Sequence, residues 1–244
     1  MAAIELNDGQ SFPLERERPL WKRAGRRALG ISAVRQSYEY ALLFKRLREE
    51  TDPTLISLNR EHGLRTMKAM EGYIDSEQAI WLKNALEETF SNARTIAQTG
   101  FNGGHSASVI LGARPNITLT SFDLGEHAYV DQASEFIDLR FPDRHKLIIG
   151  DSQETLRDYP AETPFDLVFV DGGHSEEVAL ADLLNFADLS VKNGVVIMDD
   201  YLPQKPFGVG PYAAWNKAVR RGLITPLGHK TSQGRAWVYG TFNN

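Results

Sequence analysis

The stretch IAQTGFNGGHSAS, from Ile96 to Ser108, places three glycines among small polar residues directly after a short apolar run. The apolar run is typical of a buried strand, and the residues after the glycines return to helix-forming sequence. Glycines at such a junction let the backbone approach a ligand closely, and the first amide groups of the following helix point into the same crevice. The stretch therefore predicts a strand, a loop that cradles a small polar ligand, and a helix. A tight structural turn is the alternative explanation for the glycines.

The spacing of Gly100, Gly103 and Gly104 differs from two common nucleotide-binding motifs. It is not G-x-G-x-x-G, which is typical of nicotinamide enzymes, and the loop lacks the G-K-[ST] ending of a Walker loop. The glycines therefore favour another kind of ligand.

Strand-like and helical segments alternate after this motif. The predicted strands are 94–99, 117–125, 145–151, 165–173, 194–201 and 235–242, and the predicted helices between them are 106–113, 129–141, 152–159, 175–190 and 211–222. Apolar strands joined by helical crossovers predict an α/β fold, a Rossmann-like, doubly wound and mostly parallel sheet with helices on both faces. Ligands in such sheets bind at the carboxyl ends of the strands.

The N-terminal part of the chain has a different pattern. Residues 19–70 show helical periodicity interrupted at Pro53, and a further helix is predicted over 73–90. We therefore expect an N-terminal helical extension over 1–67, acting as a cap or as an oligomerisation element that makes a homo-oligomer, and a catalytic domain over 68–244.

Composition narrows the class of protein. The chain has 244 residues, no cysteine and a formal net charge of −5, with its basic side chains concentrated in the N-terminal part. Disulfide and thiolate chemistry are excluded, and the acidic main domain argues against nucleic acid as a partner. Because no apolar run approaches a membrane span or a signal segment, we expect a cytoplasmic protein without a membrane partner.

Polar residues follow the second and third predicted strands. Asp123 stands where an acid can accept hydrogen bonds from both hydroxyls of a ribose, although a turn or helix-capping aspartate is the alternative. Asp151, Ser152 and Gln153 follow the third strand, where the edge of a bound adenine would lie. Capping of the next helix by Ser152 is the alternative there.

Three acids end the fourth and fifth predicted strands. Asp171 ends one, and Asp199 and Asp200 end the other. Since neighbouring strands lie about 4.8 Å apart, these carboxylates can converge, and their mutual repulsion would be relieved by a hard divalent cation such as Mg²⁺. The alternative is that Asp199 or Asp200 points away and holds the loop, so that no metal binds.

His174 follows Asp171 closely, in DGGHSEE. An imidazole beside a cation and a hydroxyl substrate can accept a proton near neutral pH. His174 is therefore a candidate general base, with a turn residue beside Ser175 as the alternative.

The segments TGFNGGHSA, SFDLG, GDSQETL, FDLVFVDGGHS and GVVIMDDY, in this order and spacing, resemble class I S-adenosylmethionine-dependent methyltransferases. The nearest groups are the metal-dependent small-molecule O-methyltransferases of the catechol and macrocin types. The resemblance spans roughly 68–242. It implies S-adenosylmethionine and Mg²⁺ as cofactors, and a small-molecule acceptor such as a sugar or natural product that is methylated on a hydroxyl.

The resemblance also implies roles for individual residues. The implied Mg²⁺ ligands are Asp171, Asp199 and Asp200, and the implied general base is His174, where catechol-type enzymes have a lysine. The implied cofactor site comprises Gln98, Gly100, Phe101, Asn102, Ser106, Asp123, Leu124, Asp151, Ser152, Gln153 and Asp171.

One departure from the family pattern concerns Gln98, which stands where the first strand usually carries a glutamate. A neutral amide still hydrogen-bonds the ammonium of the cofactor or a bridging water, but without charge assistance, so we expect weaker cofactor binding. Gln98 also supports the hypothesis of a non-catalytic relative that kept the fold as a binding protein. A methyltransferase that needs no metal and acts on nitrogen stays open as well, with Asp199 and Asp200 holding the loop.

Overall fold

The computed structural model of the protein describes residues 74, 76–127, 129–160, 164–232 and 234–244. The predicted extension over 1–67 lies outside the described residues, so its helices and its boundary with the domain remain predictions. Among the described residues no helix combines the length and the apolar character that crossing a membrane requires.

Seven strands and six α-helices make up the described part of the chain. The strands are β1 (Thr95–Thr99), β2 (Thr118–Asp123), β3 (His145–Ile149), β4 (Phe165–Val170), β5 (Ser190–Met198), β6 (Ile224–Ser232) and β7 (Arg235–Phe242). The helices are α1 (Ser76–Asn84), α2 (His105–Ala113), α3 (Tyr129–Arg140), α4 (Ser152–Thr155), α5 (Glu176–Leu189) and α6 (Val209–Arg220). A π-helical segment (Ala85–Thr89) continues α1, and a 3₁₀ turn (Pro206–Gly208) precedes α6.

The strands form one sheet in the order β3-β2-β1-β4-β5-β7-β6. Strands β1 to β5 pair in parallel, whereas β7 is antiparallel to both of its neighbours. This arrangement confirms the predicted Rossmann-like, mostly parallel α/β fold. Strand order reverses between β1 and β4, and ligands of doubly wound sheets bind at such a switch point.

Two elements differ from the sequence-based expectation. Strand β6 was not predicted, because Pro226 and Gly228 break the period-2 pattern; the structure accommodates them with a register shift against β7. Helix α4 ends at Thr155, earlier than expected, and the chain continues as turns.

Apolar side chains cover both faces of the sheet. One core cluster joins α1, α2 and α3 to one face, with Leu82, Ile110 and Ile137 fully buried. The other joins α5 and α6 to the opposite face through Leu183 and Ala218. Successive residues of the central strands enter opposite clusters, which explains the apolar runs within these strands. The two covered faces leave the carboxyl ends of the strands as the place for a ligand.

Candidate active site

A crevice of about 390 Å³ opens at the carboxyl ends of the parallel strands, over the switch point between β1 and β4. It collects most of the site residues expected from the sequence. Those that line it are Gly100, Phe101, Asn102, Ser106, Asp123, Leu124, Asp151, Ser152, Gln153, Asp171, His174 and Asp200. Gln98 and Asp199 do not line it.

Gly100 brings the loops after β1 and β4 into contact. Its φ is +81°, and a Cβ at this position would overlap the carbonyl oxygen of Asp171. The Gly100 amide donates to the Phe122 carbonyl at 2.9 Å, which ties the same loop to β2. Any side chain at position 100 would therefore push apart the two loops that form the floor of the crevice.

Asp123 ends β2 and holds two turns. Its Oδ2 accepts from the backbone amide of Asn102 and its Oδ1 from that of Gly125, both at 2.8 Å. The turn-forming role considered from the sequence is therefore real. A carboxylate has about four acceptor sites, so two such bonds leave capacity for the hydroxyls of a ribose.

The far end of the crevice combines polar and apolar groups. The Asp151 side chain accepts from the Gln153 amide at 2.9 Å, so Asp151, and not Ser152, caps α4. Leu124 is an apolar side chain that is 56 % exposed at the crevice wall. An exposed leucine beside backbone and hydroxyl groups suits a flat heteroaromatic ring with polar edges.

Gln98 lies behind the crevice wall, and Phe101 lines the crevice although its side chain is almost completely buried. Gln98 is completely buried, and Ser106 Oγ donates to its Oε1 at 2.9 Å, so Gln98 reaches the crevice only through Ser106. Phe101 is 1 % exposed, and its ring stacks on His145 with centroids 5.1 Å apart. Its side chain therefore belongs mainly to the core.

Asp171, His174 and Asp200 form a compact group of potential metal ligands, with one ligand atom from each lying within 4.8 Å of the others. His174 Nε2 lies 2.9 Å from Asp200 Oδ2. Burial raises the pKa of Asp171 well above its usual value, and the charges of Asp199 and Asp200 raise it further. Such a group is electrostatically unfavourable by itself and becomes favourable around a cation.

Asp199 takes a different position from the other two acids. Its Oδ1 accepts from the backbone amide of Asp200 at 2.8 Å, and Asp200 has a left-handed backbone with φ +54°. Burial and the Asp200 charge raise the pKa of Asp199 to about 6. The structure does not bring Asp199 into the ligand group, and the loop-holding alternative describes what its carboxylate does here.

Helix α6 fixes the backbone that carries His174. A Cβ on Gly210 would overlap the His174 carbonyl oxygen and crowd Glu176. Ser175 caps α5 by accepting from the Val178 amide at 3.1 Å. The His174 ring is 6.1 Å from the Phe207 ring, and its side chain is 48 % exposed.

Arg235 is a crevice residue that the sequence did not predict. It begins β7, lines the crevice, and its positive charge lowers the pKa of both Asp171 and Asp199. Because β7 runs antiparallel to β5, its first residue lies beside the carboxyl end of β5. Finding Arg235 from the sequence would have required knowing this strand direction.

Comparisons with known proteins agree with this geometry. The family described as methyltransferase domain matches residues 97–201. No curated protein matches the chain.

Solved structures share the fold at low sequence identity. The O-methyltransferase TomG of Streptomyces achromogenes, in complex with S-adenosylmethionine, is 21 % identical, with a TM-score of 0.61 over 80 % of this chain and 90 % of that one. An O-methyltransferase of Bacillus cereus in complex with S-adenosylhomocysteine is 16 % identical, with a TM-score of 0.59 over 79 % and 90 %. CalS11, a TDP-rhamnose 3'-O-methyltransferase of calicheamicin biosynthesis, is 18 % identical, with a TM-score of 0.54 over 78 % and 93 %.

The matched family segment runs from β1, through the glycine loop and the ends of β2 to β5, to the acids after β5. It therefore contains nearly all the residues that build the crevice. The part of this chain that builds the crevice, residues 97–201, therefore matches a methyltransferase domain.

Proposed function

We propose that the protein transfers the methyl group of S-adenosylmethionine to a hydroxyl of a small molecule, with a divalent cation, Mg²⁺, beside the acceptor and His174 as general base. The observation that carries this proposal is the meeting of Asp171, Asp200 and His174 at one edge of the crevice. TomG and CalS11 are both O-methyltransferases, which supports oxygen as the methylated atom. The TDP-rhamnose substrate of CalS11 also supports a sugar or natural product as acceptor.

The crevice fits an S-adenosyl cofactor in three parts. Gly100, Phe101 and Asn102 would offer backbone groups to the methionine part, with Ser106 beside them and Gln98 behind. Farther along the crevice, Asp123 would bind the ribose hydroxyls, and Leu124 with residues 151–153 would contact the adenine. Asp171 would lie near the methyl group.

The donor set fits a divalent cation. Asp171 and Asp200 offer carboxylate oxygens, which Mg²⁺ prefers, and the raised pKa of Asp171 means that these acids would gain from a positive charge. We propose Asp171 and Asp200 as ligands, and Asp199 remains a candidate third. A bound cation would supply Lewis-acid activation of the acceptor hydroxyl.

We propose His174 as the residue that accepts the proton of that hydroxyl. A carboxylate only accepts hydrogen bonds, so a neutral His174 donates Nε2–H to Asp200 and keeps Nδ1 as its basic atom. The Asp200 charge stabilises the imidazolium that forms. A cofactor held along the crevice, from Gly100 to Asp123, would supply an electrophilic methyl group, whose C–S bond would break with its electron pair left on sulfur as the bond to the acceptor oxygen forms.

Partly exposed aromatic side chains lie in the segment that follows β5. Phe207 is 42 % exposed beside His174, and Tyr212 is 36 % exposed and contacts Tyr201, with ring centroids 4.7 Å apart. We propose that these rings contact the acceptor and exclude water from the reacting oxygen.

A different role for His174 is favoured by one observation. Its imidazole belongs to the same ligand group as the two carboxylates, and imidazole is a common ligand of transition metals. If His174 bound a metal, it would not be the base. The competing functions for the whole protein are a metal-independent methyltransferase that acts on nitrogen and a non-catalytic binding protein.

The test is methyl transfer to a panel of hydroxylated small molecules, including nucleotide sugars and phenols, and to matched amines. We expect mass-detected methylation of a hydroxyl compound that stops with a chelator and returns with Mg²⁺. Methylation that persists in the chelator, or only of amines, would favour the metal-independent enzyme.

A further inference from the structure

A continuous row of polar side chains runs from the crevice wall to the protein surface, beneath the glycine loop. Ser106 Oγ contacts Gln98 Oε1 at 2.9 Å, and Gln98 Nε2 contacts Ser121 Oγ at 3.0 Å. Ser121 Oγ lies 3.0 Å from His145 Nε2, and His145 Nδ1 lies 2.9 Å from Asp138 Oδ1. Gln98, Ser121 and the His145 side chain are fully buried, whereas the Asp138 side chain is 56 % exposed.

The donor and acceptor roles along the row follow from the contact at its surface end. The Asp138 carboxylate can only accept, so His145 Nδ1 must carry the hydrogen of that contact. Burial lowers the pKa of His145. Among the described residues, Asp138 is the charged group that faces His145, and it raises this pKa by less than burial lowers it. A neutral His145 with hydrogen on Nδ1 has an acceptor at Nε2. Ser121 therefore donates its hydroxyl hydrogen to His145.

This direction passes along the row to the crevice. Ser121 has one hydrogen, which His145 receives, so Ser121 can only accept from Gln98. The NH₂ group of Gln98 must face Ser121, and its oxygen must face Ser106. Ser106 in turn donates its single hydrogen to Gln98, so its oxygen has only lone pairs left to offer, and Ser106 lines the crevice.

We propose that Asp138, His145 and Ser121 are positioning residues that lock the Gln98 amide and so make Ser106 a hydrogen-bond acceptor for the α-ammonium group of the cofactor. This inference rests on the proposed cofactor binding. It explains how a neutral glutamine can serve where the resembled family usually has a glutamate. The buried row supplies the orientation, and Ser106 supplies the acceptor.

The first test needs no cofactor. We expect the ¹⁵N spectrum of the wild-type protein at neutral pH to show His145 as the neutral tautomer with hydrogen on Nδ1, assigned by its loss in His145→Phe. Hydrogen on Nε2 would reverse the row and overturn the proposal.

The second test compares S-adenosylhomocysteine with its analogue that lacks only the α-amino group. The His145→Phe variant keeps an aromatic ring against Phe101 but removes the acceptor of Ser121, so the Gln98 amide can rotate. We expect affinity for S-adenosylhomocysteine to fall about 10-fold, the size of one hydrogen bond to a charged group, and affinity for the analogue to change less than about 2-fold.

Substitutions at Ser121 and Ser108 provide a second variant and a control for this test. Ser121→Ala should repeat the selective loss if His145→Phe does not fold, and Ser121→Thr should restore binding because it keeps the hydroxyl. Ser108→Ala removes another fully buried hydroxyl outside the row and should leave both affinities unchanged. Equal losses for both ligands would overturn the proposal. Failure of the wild-type protein to bind either ligand would instead overturn the proposed function.

A third variant, Gln98→Glu, should change the direction of the hydrogen bonds along the row. The carboxylate in Gln98→Glu cannot donate to Ser121, so Ser121 would turn its hydrogen toward residue 98 and His145 would have to donate from Nε2 as well as from Nδ1. We expect the ¹⁵N signature of His145 in Gln98→Glu to change to imidazolium at neutral pH. An unchanged neutral ring would contradict the coupling between Gln98 and His145.

Discussion

The imidazole Nε2 of His174 lies 2.9 Å from Oδ2 of Asp200, so a side chain of the loop after β4 meets one that follows β5. The contact fixes the ring while its side chain remains 48 % exposed to the crevice. His174 also belongs to the group of potential metal ligands. A test that distinguishes a general base from a metal ligand at His174 is therefore the most informative test of the site.

Replacing His174 by glutamine should slow methyl transfer without weakening the site. Removal of a general base typically costs about 10²- to 10⁴-fold in rate, while the carboxylates that would hold the cation are untouched. We expect kcat to fall by about 100-fold or more, and the Mg²⁺ and cofactor dissociation constants to stay within about 3-fold. Steady-state kinetics and calorimetry measure these quantities.

His229→Gln is the control, because His229 is an exposed histidine of β6 outside the crevice. It should leave rate and binding unchanged. A loss of metal affinity of about 10-fold in His174→Gln would show that His174 is a ligand and not the base.

Asp171 and Asp199 should respond differently to the same isosteric change. Asp171→Asn removes a charged ligand, and we expect Mg²⁺ affinity to fall about 10-fold or more. Asp199→Asn keeps an oxygen that can accept from the Asp200 amide, so we expect a loss below about 3-fold. Calorimetric Mg²⁺ titration distinguishes them. Equal large losses would show that Asp199 joins the ligands when the metal binds.

Gly100→Ala should disrupt the floor of the crevice. The new Cβ would overlap the Asp171 carbonyl in addition to straining a left-handed backbone. We expect the free energy of unfolding to fall by about 3 kcal/mol and cofactor binding to be lost. Gly222→Ala is the matched control, since Gly222 has φ +72° and nothing within 4 Å of a Cβ. It should cost only about 1 kcal/mol, and equal costs would contradict the close-approach argument.

The raised pKa of Asp182 predicts that the stability of the folded protein depends on pH. Burial raises its pKa to about 6, more than the hydroxyls of Ser152 and Thr99 lower it. The folded state therefore binds this proton more tightly than the unfolded chain, and the contribution of Asp182 to stability falls as pH rises from about 4 to above 6. The full effect is on the order of 3 kcal/mol.

Asp182→Asn should remove that dependence. We expect the variant to gain stability relative to the wild type at pH 8 and to lose this advantage near pH 4, as measured by chemical denaturation at each pH. Asp188→Asn, an exposed acid on the same helix, should show no such trend. A constant difference for Asp182→Asn across the range would mean that its carboxyl group titrates normally.

The sequence predicted the elements that have strong periodicity. Strand β4 was expected because nearly all of its residues are apolar. The crevice residues after β1 to β4 follow because parallel strands end at one edge. Strand β6 was missed because pairing with β7 overrides its Pro226 and Gly228. Local pattern cannot report a pairing that depends on a partner strand.

The directions in which the site side chains point could not be predicted from the sequence. Adjacent acids at 199 and 200 look equivalent in sequence, yet the left-handed backbone of Asp200 sends one carboxylate to His174 and the other to a backbone amide. Arg235 was missed for a related reason, since only the antiparallel direction of β7 brings it to the crevice.

We claim above all that one crevice binds S-adenosylmethionine and a divalent cation together. The most direct measurement is calorimetric titration of the wild-type protein and Asp171→Asn with S-adenosylmethionine, with Mg²⁺ present and with a chelator, followed by titration with Mg²⁺. We predict cofactor binding to the wild type and Mg²⁺ binding that Asp171→Asn loses. Cofactor binding with no uptake of Mg²⁺ would contradict the metal-assisted mechanism, and absence of cofactor binding would contradict the claim as a whole.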